Sequence, residues 1–224
     1  MKTNIKIALV DDHKIVRESI AQLLSRSGFE IILEAGNGLD FLENISLSNL
    51  PEICILDVNM PVMNGYKTMH KIRERYPEMK VLILSAYCNP FGIVRMLNKG
   101  ANGYLCKTTD INELQKALMD IHHTGSYKND LVAESVTTTL STKLPNHIPY
   151  ITDMELDCLN LICSDMTCEE VAAALNLNMA TVEGYKHILY EKLKVKSRYG
   201  LISTALTMGL LLDAEVVYYG NKVA

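Results

Sequence analysis

A chain of 224 residues has room for one or two domains. Hydrophobic residues make up 48% and charged residues 21%, an ordinary globular balance that excludes a disordered chain. The formal net charge of −4 gives no general attraction to nucleic acid, so any such binding has to be local. Apolar runs such as Ile53–Leu56 and Val81–Leu84 are far shorter than the roughly 20 residues of a membrane-spanning helix. Met1–Ile7 has no long apolar segment or small-residue cleavage site of a secretory signal. A cytoplasmic protein with no membrane partner is expected. The cysteines at 54, 88, 106, 158, 163 and 168 form no C-x-x-C pair, and the five-residue steps of the last three suit neither zinc nor iron–sulfur spacing. Reduced core and surface thiols are the expectation.

Up to about residue 122 two patterns alternate. Short apolar, mostly β-branched runs at Ile5–Val10, Ile31–Leu33, Ile53–Leu56, Val81–Leu84 and Tyr104-Leu105 predict five strands. Between them lie helically spaced apolar residues: Ile15, Ile20, Leu23 and Leu24; Leu39, Leu42 and Ile45; Met69, Ile72 and Tyr76; Ile93, Val94 and Leu97; Leu114, Leu118 and Ile121. Strands alternating with helices predict a doubly wound α/β fold, a five-stranded parallel sheet covered on both faces by right-handed crossovers. Ligands of such sheets sit at the carboxyl ends of the strands.

Those ends carry chemistry. The first strand runs into Asp11-Asp12, the third into Asp57, the fourth into Ser85 and the fifth into Lys107. Carboxylates brought within a few ångströms repel unless a cation lies among them. Mg²⁺ suits that place, because it is held by a few carboxylates and keeps waters for phosphate oxygens.

These residues resemble the receiver domain of bacterial two-component response regulators. The likeness rests on Val10-Asp11-Asp12-His13, Leu56–Gly65, Leu84-Ser85-Ala86 and Gly100–Lys107, and covers residues 5–122. It implies that Asp57 accepts a phosphoryl group from a sensor histidine kinase. It further implies that Asp12 binds Mg²⁺ directly, that Asp11 assists through water, and that Asn59 offers its backbone carbonyl. Lys107 and Ser85 would bind phosphoryl oxygens, and Tyr104 would be the aromatic switch that moves with Ser85. Asn59 and Tyr87 flank the phosphate position in the family. His13 reads as helix-start surface. Self-phosphorylation and self-dephosphorylation are the only catalysis expected. Many receivers have a cis proline bond after the lysine; Thr108 stands there in this chain.

The character changes after residue 123. Residues 124–149 gather Ser, Thr and Asn with Pro145 and Pro149, and read as a linker with one possible helix over Leu131–Leu140. Residues 150–212 are helical in pattern, and 213–224 form a tail. Thr152-x-x-Glu155 and Thr167-x-x-Glu170 both match the capping box, and Asn178 caps a third helix over about 179–193. A scaffold helix at 167–175, a turn through Asn176-Leu177-Asn178 and the helix after it have helix-turn-helix spacing, in which the second helix enters the major groove. A fourth helix is expected over about 198–211. The segment Ile151–Glu155 with Glu170-Val171-Ala172, Thr181-Val182 and Glu191–Val195 resembles the LuxR-type domain. With the receiver in front, the whole chain resembles the NarL/FixJ class, which implies binding to promoter DNA as a homodimer formed on phosphorylation.

Charge tempers that expectation. Residues 147–224 hold six Lys/Arg and ten Asp/Glu, so this half carries the chain's entire net charge, opposed in sign to DNA. The cations are segregated, however: Lys186, Lys192, Lys194, Lys196 and Arg198 face Glu191 alone between 186 and 198. A local basic stripe suffices for phosphate contacts. The expected DNA-contacting set is Asn178, Thr181, Glu183, Gly184, Lys186, His187, Tyr190, Lys194, Lys196 and Arg198. Glu183 and Tyr185 depart from the family's basic or polar residue and histidine, and Gly184 weakens the helix while leaving room for close backbone approach. The competing function is an adaptor whose acidic C-terminal domain binds a protein partner; steep salt dependence would separate DNA binding from it. A phosphatase using Asp57 as nucleophile is a third reading, opposed by Asn59 where such enzymes carry a second acid.

Overall fold

The structure, a computed structural model, describes residues 4–86, 88–141, 151–208 and 210–211. Tyr87, the proline-containing part of the expected linker and the 213–224 tail lie outside the described residues. The chain divides into two compact units, Met1–Cys88 with Ile93–Ser135, and Asn89–Gly92 with Val136–Ala224.

In the first unit, strands β1 (Lys6–Val10), β2 (Glu30–Ala35), β3 (Ile53–Leu56), β4 (Lys80–Ser85) and β5 (Gly103–Cys106) alternate with helices α1 (Lys14–Arg26), α2 (Gly38–Asn44), α3 (Gly65–Arg75), α4 (Pro90–Asn98, in this unit from Ile93 on) and α5 (Ile111–Thr124). All strand pairs are parallel, in the order β2-β1-β3-β4-β5. The five expected strands are thus present. β2 is longer than its apolar run, because Glu30 and Glu34 lie on an edge strand where polar side chains reach solvent. The interior strand β3 is buried at every position, which explains its unbroken apolar reading. The order reverses direction between β1 and β3, so the crevice at their carboxyl ends is where a ligand is expected.

Side-chain caps fix where helices start. Asn64 Oδ1 accepts from the Lys67 amide at 3.0 Å to begin α3, and Asp110 accepts from the Asn112 and Glu113 amides at 2.8 and 3.0 Å to begin α5. α5 ends at Gly125 in the left-handed conformation (φ 83°). Beyond it Tyr127 is buried; its amide donates to the Asn102 carbonyl at 2.7 Å, just before β5, and its hydroxyl to Glu113 Oε1 at 3.1 Å. α6 (Asp130–Ser141) then forms where a helix was expected. α1 departs from its periodicity, since Ile15 is 82% exposed while Leu24 is buried. The two stand nine residues apart, which at about 100° per residue puts them on opposite faces.

The second unit contains α7 (Asp153–Cys163), α8 (Cys168–Ala174), α9 (Met179–Lys192) and α10 (Arg198–Thr207). Leu156, Leu159, Val171, Val182, Leu189, Leu193, Leu201 and Ala205 pack one core. Both capping boxes form with the expected residues, and Asn178 Oδ1 accepts from the Thr181 amide at 2.8 Å. The turn between α8 and α9 places Asn176 at φ 54°, a conformation asparagine tolerates. α10 stops at Thr207, short of the expected extent.

Candidate functional site

The sheet's backbone ladder sets the rim residues side by side. The Asp57 amide donates to the Val10 carbonyl at 2.9 Å, and the Lys107 amide to the Ser85 carbonyl at 2.8 Å. Asp11 and Asp57 are buried and Asp12 is exposed. Lys107 Nζ lies 2.7 Å from Asp57 Oδ2 and 2.8 Å from Asp11 Oδ2, so one ammonium serves two buried carboxylates. The Val58 amide donates to Asp57 Oδ1 at 2.7 Å. Gly65 lets α3 start against this strand end, since a Cβ there would lie 2.4 Å from the Asp57 carbonyl oxygen.

Burial holds the Asp57 carboxyl above its ordinary value, and the hydrogen bond and charge of Lys107 offset this only in part. Burial alone would lower Lys107, but its bonds to Asp11 and Asp57 win and raise it. The centre therefore stays short of positive charge. Asp11, Asp12, His13 and Asp57 each offer a ligand atom within 4.8 Å of one another. His13, expected at the surface, is exposed but leans on the pair, with Nδ1 2.9 Å from Asp12 Oδ1. Two residues past Asp57, Asn59 Oδ1 is buried with no hydrogen-bond partner among the described residues. Carboxylate and amide oxygens around a charge deficit fit a hard divalent cation.

Ser85 and Tyr104 lie beneath the centre, both buried and hydrogen-bonded to each other. Burial pushes the Tyr104 hydroxyl above its usual value. Sequence reasoning missed the layer next to it. Tyr66 of α3 is buried, and the buried Arg95 guanidinium of α4 lies 4.2 Å from its ring centroid. Nothing in a helical apolar pattern marks Arg95 as stacked. The Lys107–Thr108 bond is trans.

In the second unit the residues expected to contact DNA lie on α9 and just beyond its ends. Asn178, Glu183, Gly184, His187, Lys194 and Lys196 are exposed, and Thr181 and Lys186 are half-buried. Glu183 is already engaged, accepting from the Cys168 thiol at 3.0 Å and pairing with Lys186 at 3.3 Å. The thiol bond first, then Lys186, holds its carboxyl below the ordinary range. Two of the expected contacts have structural roles. Tyr190 packs against the core, and Arg198 donates to the Ile162 carbonyl at 3.1 Å and to that of Ser164. Lys192 is bound to Glu155 at 2.7 Å. Lys194 and Lys196 make no ion pair among the described residues. A Cβ on Gly184 would meet nothing within 4 Å, so packing does not demand glycine. Gly184→Ala should stabilise this unit by about 0.5–1 kcal/mol, measured by urea unfolding.

Comparison with known proteins agrees with this geometry. Residues 7–119 match the response regulator receiver domain and residues 150–205 match the bacterial regulatory proteins of the luxR family. The nitrate/nitrite response regulator NarL of Escherichia coli is 30% identical over 200 residues, spanning 86% of this chain and 90% of that protein. The oxygen regulatory protein NreC of Staphylococcus epidermidis is 30% identical over 217 residues, 92% of this chain and 99% of its own. Among solved structures, RcsB of Salmonella enterica bound to promoter P1flhDC has a TM-score of 0.67 at 21% identity, covering 90% and 98% of the two chains. Among the described residues no helix is long and apolar enough to cross a membrane. Matches to both family models, with relatives 30% identical over most of both chains, place this chain in the NarL/FixJ class of response regulators, with a receiver domain and a LuxR-type DNA-binding domain.

Proposed function

We propose that Asp57 takes a phosphoryl group from the phosphohistidine of a sensor histidine kinase, and that this modification switches binding of promoter DNA through the α9 face. The shared Lys107, 2.7 Å from Asp57 and 2.8 Å from Asp11, is the observation that carries the reading. A carboxylate is a weak nucleophile, so positioning and charge neutralisation have to supply the catalysis. An Asp57 oxygen attacks phosphorus as the bond to the histidine nitrogen breaks. Val58 N–H holds the other oxygen in place. Lys107 is positioned to pair with the phosphoryl oxygens, and the Ser85 hydroxyl to leave Tyr104 and donate to one of them. Asp11, Asp12 and Asp57, with the Asn59 backbone carbonyl, would hold Mg²⁺, which would supply charge neutralisation for the phosphoryl oxygens. No turnover of other substrates is expected.

On DNA, Lys186, Lys194 and Lys196 supply phosphate contacts. Asn178, Thr181, His187 and the open backbone at Gly184 supply the face toward bases, with Glu183 available once it leaves Lys186 and Cys168. A homodimer doubles these contacts across a two-fold site.

The test is to incubate the full chain and Asp57→Asn with acetyl phosphate and Mg²⁺, then measure intact mass and retention of promoter DNA. The parent should gain one phosphoryl group and bind DNA more tightly, while the variant does neither. Phosphoryl incorporation in the variant equal to the parent's would overturn the reading. The phosphorylated dimer should lose on the order of 10³-fold in DNA affinity between about 50 and 200 mM salt.

A further inference from the structure

Two half-buried cysteines meet at the edge of the phosphoacceptor centre, where spacing had indicated independent reduced thiols. Cys106 ends β5, one residue before Lys107, and Cys88 lies three residues past Ser85, the end of β4. The β4/β5 register pairs Ser85 with Cys106, so the chain leaving β4 carries Cys88 back over the end of β5. Their Cα atoms are 6.0 Å apart and their side chains face each other. That separation falls inside the range of roughly 4.4–6.8 Å that a disulfide spans. Cys88 Sγ also lies 3.9 Å from the Ser85 carbonyl oxygen. The other described cysteines differ: Cys54, Cys158 and Cys163 are buried, and Cys168 is engaged with Glu183.

We propose that Cys88 and Cys106 form a peroxide-responsive dithiol whose disulfide restrains the receiver switch. One sulfur attacks hydrogen peroxide, the O–O bond breaks, and a sulfenic acid and water result. The second sulfur then attacks the sulfenic sulfur; the S–S bond forms and the hydroxyl leaves, with a proton, as a second water. Two thiols give up two electrons and two protons, and a dithiol reductant reverses the step. Where compartments are reducing, disulfides are usually transient and redox-sensing.

The restraint follows from position. Ser85 is held by its carbonyl to the Lys107 amide and by its side chain to Tyr104. Linking Cys88 to Cys106 closes a second tie across the same two strand ends, so Ser85 cannot shift toward a phosphoryl group without β5 shifting too. The coupling rests on Asp57 being the phosphoacceptor; formation of the disulfide does not.

The experiment reduces the full chain, exposes half of it to hydrogen peroxide, and alkylates remaining thiols. Mass spectrometry of the digest tests for a Cys88–Cys106 linkage, and calorimetry measures beryllofluoride binding with Mg²⁺ in each form. The linked peptide should appear only after peroxide, with at least tenfold weaker beryllofluoride binding that reductant restores. Cys88→Ser and Cys106→Ser should both bind beryllofluoride like the reduced parent, and peroxide should give no linked peptide in either. Full alkylation of both thiols after peroxide overturns the proposal, as does equal beryllofluoride affinity of the linked and reduced forms. A reduced parent that binds no beryllofluoride overturns the phosphoacceptor reading and the coupling with it, while the linkage result stands by itself.

Discussion

Lys107→Met should cut phosphoryl uptake at Asp57 by about 10²–10³-fold, the usual cost of losing one preorganised charge-stabilising donor. The same variant should be less stable by about 3 kcal/mol in metal-free buffer, because Asp11 and Asp57 then face each other buried without a counter-charge. Mg²⁺ should recover part of that loss by binding the folded state alone. Chemical unfolding with and without Mg²⁺, beside the rate of mass gain from acetyl phosphate, measures both effects. The burial of Asp57 also sets a pH direction. Its carboxyl titrates above the unfolded value near 3.8, so the folded receiver binds this proton more tightly than the unfolded chain. Its favourable contribution is complete below the unfolded value and fades as pH rises through the raised one. In Lys107→Met that window should extend further upward, since the group that offsets burial is gone.

Glu155→Ala is the second large effect, and it acts on the other unit. Glu155 is 5% exposed; its carboxylate accepts from the Thr152 amide at 2.8 Å and from Lys192 Nζ at 2.7 Å. One side chain thereby closes the start of α7 and pins the end of α9. Losing the reciprocal cap costs about 1 kcal/mol and losing a charge-assisted bond about 1.5–3, so a destabilisation of about 2–4 kcal/mol is expected. Burial alone would raise this carboxyl; the bonds from Lys192 and Thr152 outweigh it and lower it. The stability it brings is therefore complete above the unfolded value of 4.5 and is lost as pH falls through the depressed folded value. Urea unfolding of the full chain across that window should show the parent converging on the variant as pH falls. Parallel curves would mean that Glu155 carries no linked proton.

The features legible in the sequence share a cause: each is local. The strands showed because fully buried β-branched runs such as Ile53–Leu56 have no polar alternation to hide them. The caps showed because Thr152, Thr167 and Asn178 act on amides three residues ahead. The rim residues showed because each follows a strand end directly. Features formed by neighbouring strands or helices did not show. The Cys88–Cys106 contact depends on the β4/β5 register, and the Tyr66–Arg95 stack on two separate helices. Arg198 read as a free cation because its acceptors, the Ile162 and Ser164 carbonyls, lie more than thirty positions earlier in the chain. Ile15 counted toward the helical spacing of α1, yet its angle around the helix puts it on the exposed side.

The proposed reading helix has a consequence for how such a regulator changes over generations. α9 is tied to its unit by Val182 and Leu189, which are buried, and by the half-buried Tyr185 and Tyr190, while Glu183, Gly184, His187, Ile188 and Glu191 face outward. Replacing exposed helical residues usually costs no more than about 0.5 kcal/mol. With the outward face as the proposed DNA-binding face, target preference and fold are written on opposite sides of one cylinder. Drift on the outward side can retune which promoters are recognised while selection for a folded protein barely registers the change.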